Sequence, residues 1–274
     1  MNPPFALAPL ADATFGAVVT DLDVRVLDTD TFAALYAAWL EYALIVLPGQ
    51  HLSTAEQIVF ARRFGDLEFD LAPISNVRKD GTVRDERKND DVVKVLKGNM
   101  GWHCDSTYMP VQAKGAVFSA HVVPDSGGQT GWADTRAAYD ALDEDVKARI
   151  ASLHAYHSLY YSQAKLGHAP AENQESDYSG YGFHDQGPIL RPLVKVHPET
   201  GRHCLTVGRH AYAVPGLEER DSESLLDNLV DAATQPPRTY HHSWTPGDVV
   251  VWDNRCLMHR ACPWDMRQPR VMYH

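Results

Sequence analysis

The chain has 274 residues, of which 44% are hydrophobic and 22% are charged. This composition is typical of a globular protein and excludes the coiled-coil and largely disordered classes. The formal net charge of −11 would repel a phosphate backbone, so nucleic acid is not an expected partner.

Location in the cell is inferred from the apolar stretches and the cysteines. The longest apolar stretch, 32–47, contains Glu41 and ends at Pro48-Gly49, so it is too short and too interrupted to cross a bilayer. No basic residue precedes Arg25, which is unlike a secretory signal peptide. The four cysteines include no C-x-x-C pair, which favours free thiols in a reducing compartment. We therefore expect a cytoplasmic protein with no membrane partner.

The first third of the chain alternates helix and strand signals. A helix capped by Thr29 or Asp30 is predicted to run into a short buried strand over 43–47. Ser53-Thr54-Ala55-Glu56 has the pattern of a capping box, and the helix that it opens is predicted to stop at Gly65.

From about residue 92 onward the pattern changes to short β-runs separated by turn residues. These runs are 92–96, 116–123, 190–197, 204–207 and 248–253. Their spacing favours a sandwich or barrel core. No repeat or linker divides the chain, so we expect one domain over 1–274, with helical insertions near 135–150 and 218–233 and a loop or lid over about 160–187.

The residues that suggest chemistry begin with His103 and Asp105. In an extended segment, side chains two residues apart project to the same side and can reach one metal ion. His259 follows the apolar strand 249–253 and is a candidate third ligand. Two histidines and one carboxylate form the facial triad of non-haem Fe(II) sites that activate O2, although the same set can also hold a catalytic zinc.

Two further residues fit a co-substrate that carries a carboxylate. A guanidinium such as Arg270 can bind a carboxylate through two hydrogen bonds, and the hydroxyl of Thr130 can add a third. The simpler interpretation is a surface salt bridge for Arg270 and, for Gly127-Gly128 just before Thr130, a hairpin turn. The combination of all these residues in this order favours the functional interpretation.

With these residues in place, the sequence resembles the Fe(II)/2-oxoglutarate-dependent dioxygenases of the taurine and 2,4-dichlorophenoxyacetate type. The shared motifs cover nearly the whole chain and are 15–17, 47–50, 60–65, 252–255 and 259–260. Within the family the resemblance is greatest to the (S)-2-(aryloxy)propionate dioxygenases, through 74–77, 98–100, 105–110, 161–163, 166–168 and 270–272.

This resemblance implies a mainly β fold with flanking helices, a double-stranded β-helix or jelly roll. It implies that His103, Asp105 and His259 are the catalytic iron ligands and that Thr130 and Arg270 bind 2-oxoglutarate. The implied reaction uses Fe(II), 2-oxoglutarate and O2 to hydroxylate the carbon beside the ether oxygen of an aryloxy acid. The products would be succinate, CO2, a phenol, and pyruvate or glyoxylate.

Substrate recognition is assigned to residues near the metal motif in sequence. These candidates are Asn76, Val77, Lys94, Met100, Ser106 and Tyr108. Lys94 would equally suit a solvated strand face. Tyr160, Tyr161 and Tyr181 could close an aromatic pocket or form the surface of a homo-oligomer.

Three alternatives remain open at this point. The same iron chemistry could act on a sulfonate such as taurine or on another small organic acid, in a site with converging cations. A jelly-roll module could bind metal and 2-oxoglutarate without turnover, or the metal could be a hydrolytic zinc. The remaining histidines, namely His203 with His210 and the pair His241-His242, receive no ligand role.

Overall fold

The centre of the fold is a strand of five buried residues, Val249–Asp253. Its sequence, Val-Val-Val-Trp-Asp, is the near-continuous apolar run that a strand covered on both faces requires. It pairs antiparallel with Leu44–Leu47 on one side and with Gly115–Val122 on the other. All three strands agree with the apolar runs predicted from the sequence.

The computed structural model describes residues 4–88, 90–167 and 187–274. The strands in these residues are β1 (Ala6–Pro9), β2 (Ala17–Thr20), β3 (Leu44–Leu47), β4 (Pro73–Ser75), β5 (Gly115–Val122), β6 (Thr130–Asp134), β7 (His154–His157), β8 (Ile189–Pro192), β9 (Val194–Val196), β10 (His203–Leu205), β11 (Ala211–Tyr212), β12 (Thr239–His242), β13 (Val249–Asp253), β14 (Leu257–Ala261) and β15 (Val271–Tyr273). The helices are α1 (Thr29–Tyr42), α2 (Thr54–Arg62), α3 (Asp91–Gly98), α4 (Thr135–Asp140), α5 (Glu144–Ile150), α6 (Leu159–Ala164) and α7 (Glu219–Ala233).

Two facing layers of strands form the jelly-roll core. One layer is a seven-stranded sheet in the order β1-β2-β3-β13-β5-β15-β4, and the other includes the three-stranded sheet β12-β6-β14. Side chains from both layers meet in one apolar cluster that contains Phe118, Trp132, Trp252 and Leu257. The mainly β fold with flanking helices is therefore confirmed.

Helices cover the two outer surfaces of this core. Leu35 and Trp39 of α1 and Phe60 of α2 pack on the large sheet. On the other side, Leu225 and Leu229 of α7 belong to a separate cluster with residues of β6 and β14. The capping box at the start of α2 is present as predicted, and α7 matches the insertion expected near 218–233.

The prediction of a strand at 92–96 is wrong, because this segment is helix α3. Asp90 caps the helix by accepting from the backbone amides of Val92 and Val93. Its buried residues include Val92, Val93 and Leu96, whose spacing matches one face of a helix, and they pack against Met266. The valines suggested a strand, but the cap and the tertiary contact decide the structure.

Several predicted boundaries also change. The insertion at 135–150 is two short helices, α4 and α5, and Asp28 rather than Thr29 or Asp30 caps α1. The run at 190–197 is divided into β8 and β9 around the buried Leu193. Most of the predicted loop at 160–187 lies outside the described residues, whereas 159–164 is helix α6.

Two features predicted from composition can be checked directly. All four cysteines are free thiols. In the described part of the chain, no helix has the length and hydrophobicity that a bilayer span requires.

A buried ion network fixes the end of β13. The carboxylate of Asp253 accepts from the Nε and Nη2 atoms of Arg255 at 2.8 and 2.6 Å. His197 Nδ1 accepts two backbone amides, so its Nε2 carries the proton and donates to Asp253 at 3.0 Å. This network holds the chain just before Asn254, a residue of the candidate site.

Replacing Asp253 with alanine should lower the free energy of unfolding by about 3 kcal/mol, because it leaves a buried donor and a half-buried cation without their partner. Urea denaturation measures this change. The control is Asp265→Ala, which removes an exposed pair with Arg267 and should cause no measurable change. Equal midpoints for the two variants would contradict the structural role given to Asp253.

Candidate metal centre

Two distant segments of the chain are joined at His103 and His259. The backbone amide of His103 donates to the His259 carbonyl at 2.9 Å, and the His259 amide donates back to His103 at 2.7 Å. His259 lies on β14, which is also paired with β6. The two imidazoles are thereby held side by side, with ring centroids 4.2 Å apart.

Two hydrogen bonds from the side chain of Asn254, called here the Asn254 clamp, hold the backbone of Asp105. The Asn254 side chain accepts from the Asp105 amide at 2.8 Å and donates to the Asp105 carbonyl at 2.9 Å. The same amide also donates to the carbonyl of Ala113 at 2.9 Å. Because both backbone groups of Asp105 are engaged, its carboxylate is directed toward the two histidines.

The three predicted ligands come together in one group, in which both histidines are buried and Asp105 is partly buried. Asp105 Oδ1 lies 3.7 Å from His103 Nε2, and Asp105 Oδ2 lies 3.5 Å from His259 Nε2. One ligand atom from each residue lies within 4.8 Å of the other two. His103 Nδ1 lies 2.7 Å from the carbonyl of Gly101, so it carries the proton and Nε2 keeps its lone pair for a ligand.

The electrostatics of this group suit a divalent cation. Burial lowers the pKa of His103 to about 3 and also lowers the pKa of His259, so both imidazoles are neutral at pH 7. Burial alone would raise the pKa of Asp105, but His259, His274 and His103 hold it well below its usual range. Asp105 Oδ2 is buried and accepts no hydrogen bond from any described residue. A cation would satisfy this oxygen, and the set of two nitrogens and one carboxylate fits Fe(II).

A second group, formed by His197, Asp253 and Cys256, also has the composition of a metal site. However, both nitrogens of His197 are engaged, and Asp253 is paired with Arg255. Burial raises the pKa of the Cys256 thiol, which keeps it protonated. This second group is therefore a structural network.

Arg270 is a buried cation, with 1% of its surface exposed. Its Nε donates to the Gly128 carbonyl at 3.3 Å, and its guanidinium lies over the ring of Trp264. Burial lowers the pKa of Arg270 to about 10, so it remains charged at pH 7. It forms no ion pair with any residue that the structure describes, and an isolated buried charge is costly. The site therefore fits an anionic ligand such as the distal carboxylate of 2-oxoglutarate.

Thr130 lies at the start of β6, where it pairs with Ala261 of β14, two residues after His259. Its hydroxyl is buried and accepts from Trp244 Nε1 at 3.0 Å. The hydroxyl proton remains available for a further acceptor.

The predicted substrate residues are separated by the structure. Asn76 is fully buried, and its amide donates to the carbonyls of Met266 and Gln268 and accepts from the Arg270 amide. This amide therefore supports the segment that carries Arg270. Lys94 lies on α3 and is paired with Asp91 at 2.9 Å.

The other four substrate candidates have different surroundings in the structure. Ser106 follows the metal motif with a φ of 57°, and its hydroxyl donates to Glu68 at 2.9 Å. Tyr108 is buried and packs on the ring of His210. Met100 lies at the turn after α3. The backbone amide of Val77 donates to the hydroxyl of Ser75.

Two residues that line this centre could not be recognised from sequence patterns. The ring of His210 lies 5.7 Å from that of His103, and its Nδ1 is hydrogen bonded to Ser162. His274 Nε2 lies 3.5 Å from Asp105 Oδ2. Neither residue is near the metal motif in sequence, so only long-range strand contacts bring them here. The pair His241-His242 remains structural, since His242 Nε2 bonds Asp248 at 3.0 Å.

A mostly apolar cavity of about 320 Å³ lies beyond Tyr108. Its lining includes Tyr160 and Tyr161, two of the aromatics predicted to close a pocket, whereas Tyr181 lies outside the described residues. The lining residues are Tyr108, His157, Ser158, Leu159, Tyr160, Tyr161, Gly187, Pro188 and Tyr212.

Replacing Asn254 with alanine should weaken binding of Fe(II) or Mn(II) by about 10- to 100-fold, because the Asp105 backbone loses its clamp. Anaerobic metal titration measures the dissociation constant. The matched control is Asn228→Ala on the exposed face of α7. Unchanged metal affinity in a folded Asn254→Ala protein would show that Asp105 does not need the clamp.

Comparison with known proteins shows which family and which relatives this chain is similar to. Residues 6–274 match the family described as taurine catabolism dioxygenase TauD, TfdA family. The chain is 66% identical to the (S)-phenoxypropionate/alpha-ketoglutarate-dioxygenase of Sphingobium herbicidovorans, over 100% of this chain and 95% of that protein. It is 58% identical to the protein of the same name from Delftia acidovorans, over 96% of this chain and 91% of the relative.

A solved structure has the same fold. The crystal structure of AAD-2 in complex with Mn(II) and N-oxalylglycine superposes with a TM-score of 0.89 at 36% identity, covering 100% of this chain and 95% of that one. A family match over nearly the whole chain and a metal centre of two histidines and one aspartate lead to the same conclusion: the chain belongs to the TauD/TfdA family of dioxygenases.

Proposed function

We propose that this protein is an Fe(II)- and 2-oxoglutarate-dependent dioxygenase that hydroxylates the carbon beside the ether oxygen of aryloxyalkanoates. The favoured substrates are (S)-2-aryloxypropionates, and aryloxyacetates such as 2,4-dichlorophenoxyacetate are further substrates. The observation that carries the proposal is the buried His103, Asp105 and His259 group, in a chain 66% identical to an (S)-phenoxypropionate/alpha-ketoglutarate-dioxygenase.

The metal ligands and the co-substrate residues have separate tasks. His103, Asp105 and His259 would hold the metal through two neutral nitrogens and one carboxylate. Arg270 and Thr130 hold the distal carboxylate of 2-oxoglutarate. The buried charge of Arg270, which pairs with no carboxylate among the residues that the structure describes, supports this assignment.

When bound together, Fe(II) and 2-oxoglutarate supply oxidative chemistry with O2 that gives succinate and CO2 and hydroxylates an unactivated C–H bond. The protein positions that C–H bond and excludes water around it. Tyr108 and His210, which pack against each other beside His103, provide an apolar wall for an aromatic ring.

Hydroxylation next to the ether oxygen makes a hemiketal or hemiacetal. Collapse of this product breaks the bond between carbon and the ether oxygen, and the hydroxyl oxygen becomes a carbonyl. The leaving group takes a proton and departs as a phenol, while the acid is released as pyruvate from an aryloxypropionate or as glyoxylate from an aryloxyacetate.

The alternatives are less well supported. High identity over the full length of an aryloxypropionate relative favours this substrate class over taurine and favours turnover over simple binding. Hydrolytic zinc would leave the buried cation of Arg270 without a role.

We further propose that the chain is one domain and that it acts in the cytoplasm. We also propose that it self-associates through the tyrosines around α6. Tyr160 is half exposed, and Tyr161 stacks on Tyr212 at 4.3 Å. Light scattering on the purified protein gives the mass of the particle and so tests self-association.

The reconstituted enzyme should release a phenol and succinate in equal amounts from (S)-dichlorprop. Reconstitution is done without oxygen, with Fe(II) and 2-oxoglutarate, and air is then admitted with (S)- or (R)-dichlorprop, 2,4-dichlorophenoxyacetate or taurine. We expect the (S)-acid to react fastest and taurine not to react. Chromatography quantifies both products.

His103→Ala should abolish both products while the protein remains folded, because one metal nitrogen is lost. His203→Ala is the matched control, since His203 is exposed on β10 and stacks on Tyr139 away from the metal centre. Succinate without phenol would reject the substrate class, and neither product from iron-loaded wild type would reject the reaction.

Replacing Arg270 with methionine should raise the KM for 2-oxoglutarate at least about 10-fold, since a charge-assisted bidentate contact is lost. The KM for the aryloxy acid should change little. Steady-state kinetics with each substrate varied in turn separates the two constants. If the KM for the aryloxy acid rose and that for 2-oxoglutarate did not, the assignment of Arg270 would be wrong.

A further inference from the structure

His157 is a buried histidine that the reaction described above does not use. It lies on β7, between β11 and β8, and 1% of its surface is exposed. Neither of its ring nitrogens has a hydrogen-bond partner among the described residues. Burial lowers the pKa of His157 to about 3, so at pH 7 the neutral ring carries one donor and one acceptor. Leaving both of these atoms buried and unpaired is costly to the folded state.

The other buried histidines of the described chain are accounted for. Two of them, His103 and His259, belong to the metal centre. The remaining three bond polar side chains, namely His197 with Asp253, His210 with Ser162 and His242 with Asp248. Within the described ranges, His157 alone is buried without a partner or a place in the metal centre.

The ring of His157 lines the cavity of about 320 Å³ that lies beyond Tyr108. Most of the other lining side chains are aromatic, and two of them, Tyr161 and Tyr212, are stacked with ring centroids 4.3 Å apart. Sites for small molecules begin at about 300 Å³ and combine an apolar lining with a few polar groups that fix the ligand. The cavity therefore suits a small aromatic molecule with one polar group directed at His157.

This cavity is separate from the metal centre. The three metal ligands, Thr130 and Arg270 are not among its described lining residues. Tyr108 forms the boundary, because it lines the cavity while its ring packs on His210, whose ring lies 5.7 Å from that of His103. A molecule made at the metal centre therefore has a second apolar site close by.

Two cations near His157 determine which charge the cavity favours. Arg191 and Lys195 both contribute to the lowered pKa of His157. Arg191 donates to two backbone carbonyls, and Lys195 donates to a side-chain amide oxygen at 3.0 Å. Neither cation has a carboxylate partner in the part of the chain that the structure describes. The potential at His157 is thus positive and favours a ligand atom with negative charge.

We propose that this cavity binds the phenol that the reaction releases, with the phenol oxygen at His157 and the ring among the tyrosines. The inference rests on the proposed function, because that reaction makes the phenol. A phenol is flat and apolar except for one hydroxyl, which can donate to an imidazole nitrogen or accept from an imidazole N–H. Ring chlorines make this hydroxyl more acidic, so the positive potential strengthens the contact. Binding in the cavity leaves the metal centre free for the next substrate.

The competing explanation is that His157 only fills space in the core. Phenylalanine would fill a similar volume without unpaired nitrogens, so this explanation predicts unchanged ligand binding in His157→Phe. Our account predicts that His157→Phe keeps or raises the thermal midpoint and weakens binding of the phenol. The matched control is His154→Phe, since His154 is exposed on the same strand and its Nδ1 bonds the Ser152 carbonyl.

The test measures equilibrium binding of 2,4-dichlorophenol by calorimetry. The protein is loaded with Mn(II) and N-oxalylglycine so that no turnover occurs, and the titration is repeated with saturating (S)-dichlorprop. Wild type should bind the phenol with the same affinity in both titrations, because the two sites are separate. His157→Phe should bind it about 10-fold more weakly, through loss of one hydrogen bond. His157→Gln should retain part of the affinity and His154→Phe all of it.

Leu159→Trp gives a second variant, which keeps the imidazole and fills the cavity that Leu159 lines. We expect it to abolish phenol binding without changing the binding of N-oxalylglycine. Phenol binding that (S)-dichlorprop abolishes, or that is undiminished in His157→Phe or Leu159→Trp, would overturn the proposal, as would no binding to wild type. These titrations involve no turnover, whereas failure of the proposed function would appear as no phenol release from (S)-dichlorprop.

Discussion

The site depends on the pair of backbone hydrogen bonds between His103 and His259. These bonds, at 2.9 and 2.7 Å, attach a loop from the middle of the chain to β14 near its end. Because β14 is itself paired with β6, the loop that carries His103 is held firmly against the core. The Asn254 clamp on Asp105 extends the same attachment by two residues. Three ligands from two distant segments are thereby preorganised before any metal binds.

Burial has opposite consequences for the different groups of this centre. It keeps His103 and His259 neutral and ready to ligate, whereas Asp105 remains ionised because of the neighbouring histidines. For Arg270, burial removes water, and none of the described residues supplies a carboxylate to pair with its charge. A small anionic ligand bound at Arg270 would compensate this charge.

Two of the three metal ligands could be predicted from sequence because they lie close together in it. His103 and Asp105 are two residues apart, and His259 follows an unmistakable apolar strand. Asn76 shows the opposite case: its position suggested a substrate residue, but its buried amide supports the segment of Arg270. His210 reaches the centre through the contact of its ring with His103 and carries no periodic signal in the sequence. The helix α3 was missed because its valines outweighed the cap at Asp90.

The most direct test of the account is the destination of the oxygen atoms when the enzyme turns over (S)-dichlorprop under ¹⁸O2. Hydroxylation at the carbon beside the ether oxygen predicts one ¹⁸O atom in succinate and none in the phenol, which keeps the original ether oxygen. The second atom enters the carbonyl of pyruvate, which is trapped at once by reduction to prevent exchange with water. Label in the phenol would place the attack on the ring, and unlabelled succinate would contradict the dioxygenase reaction.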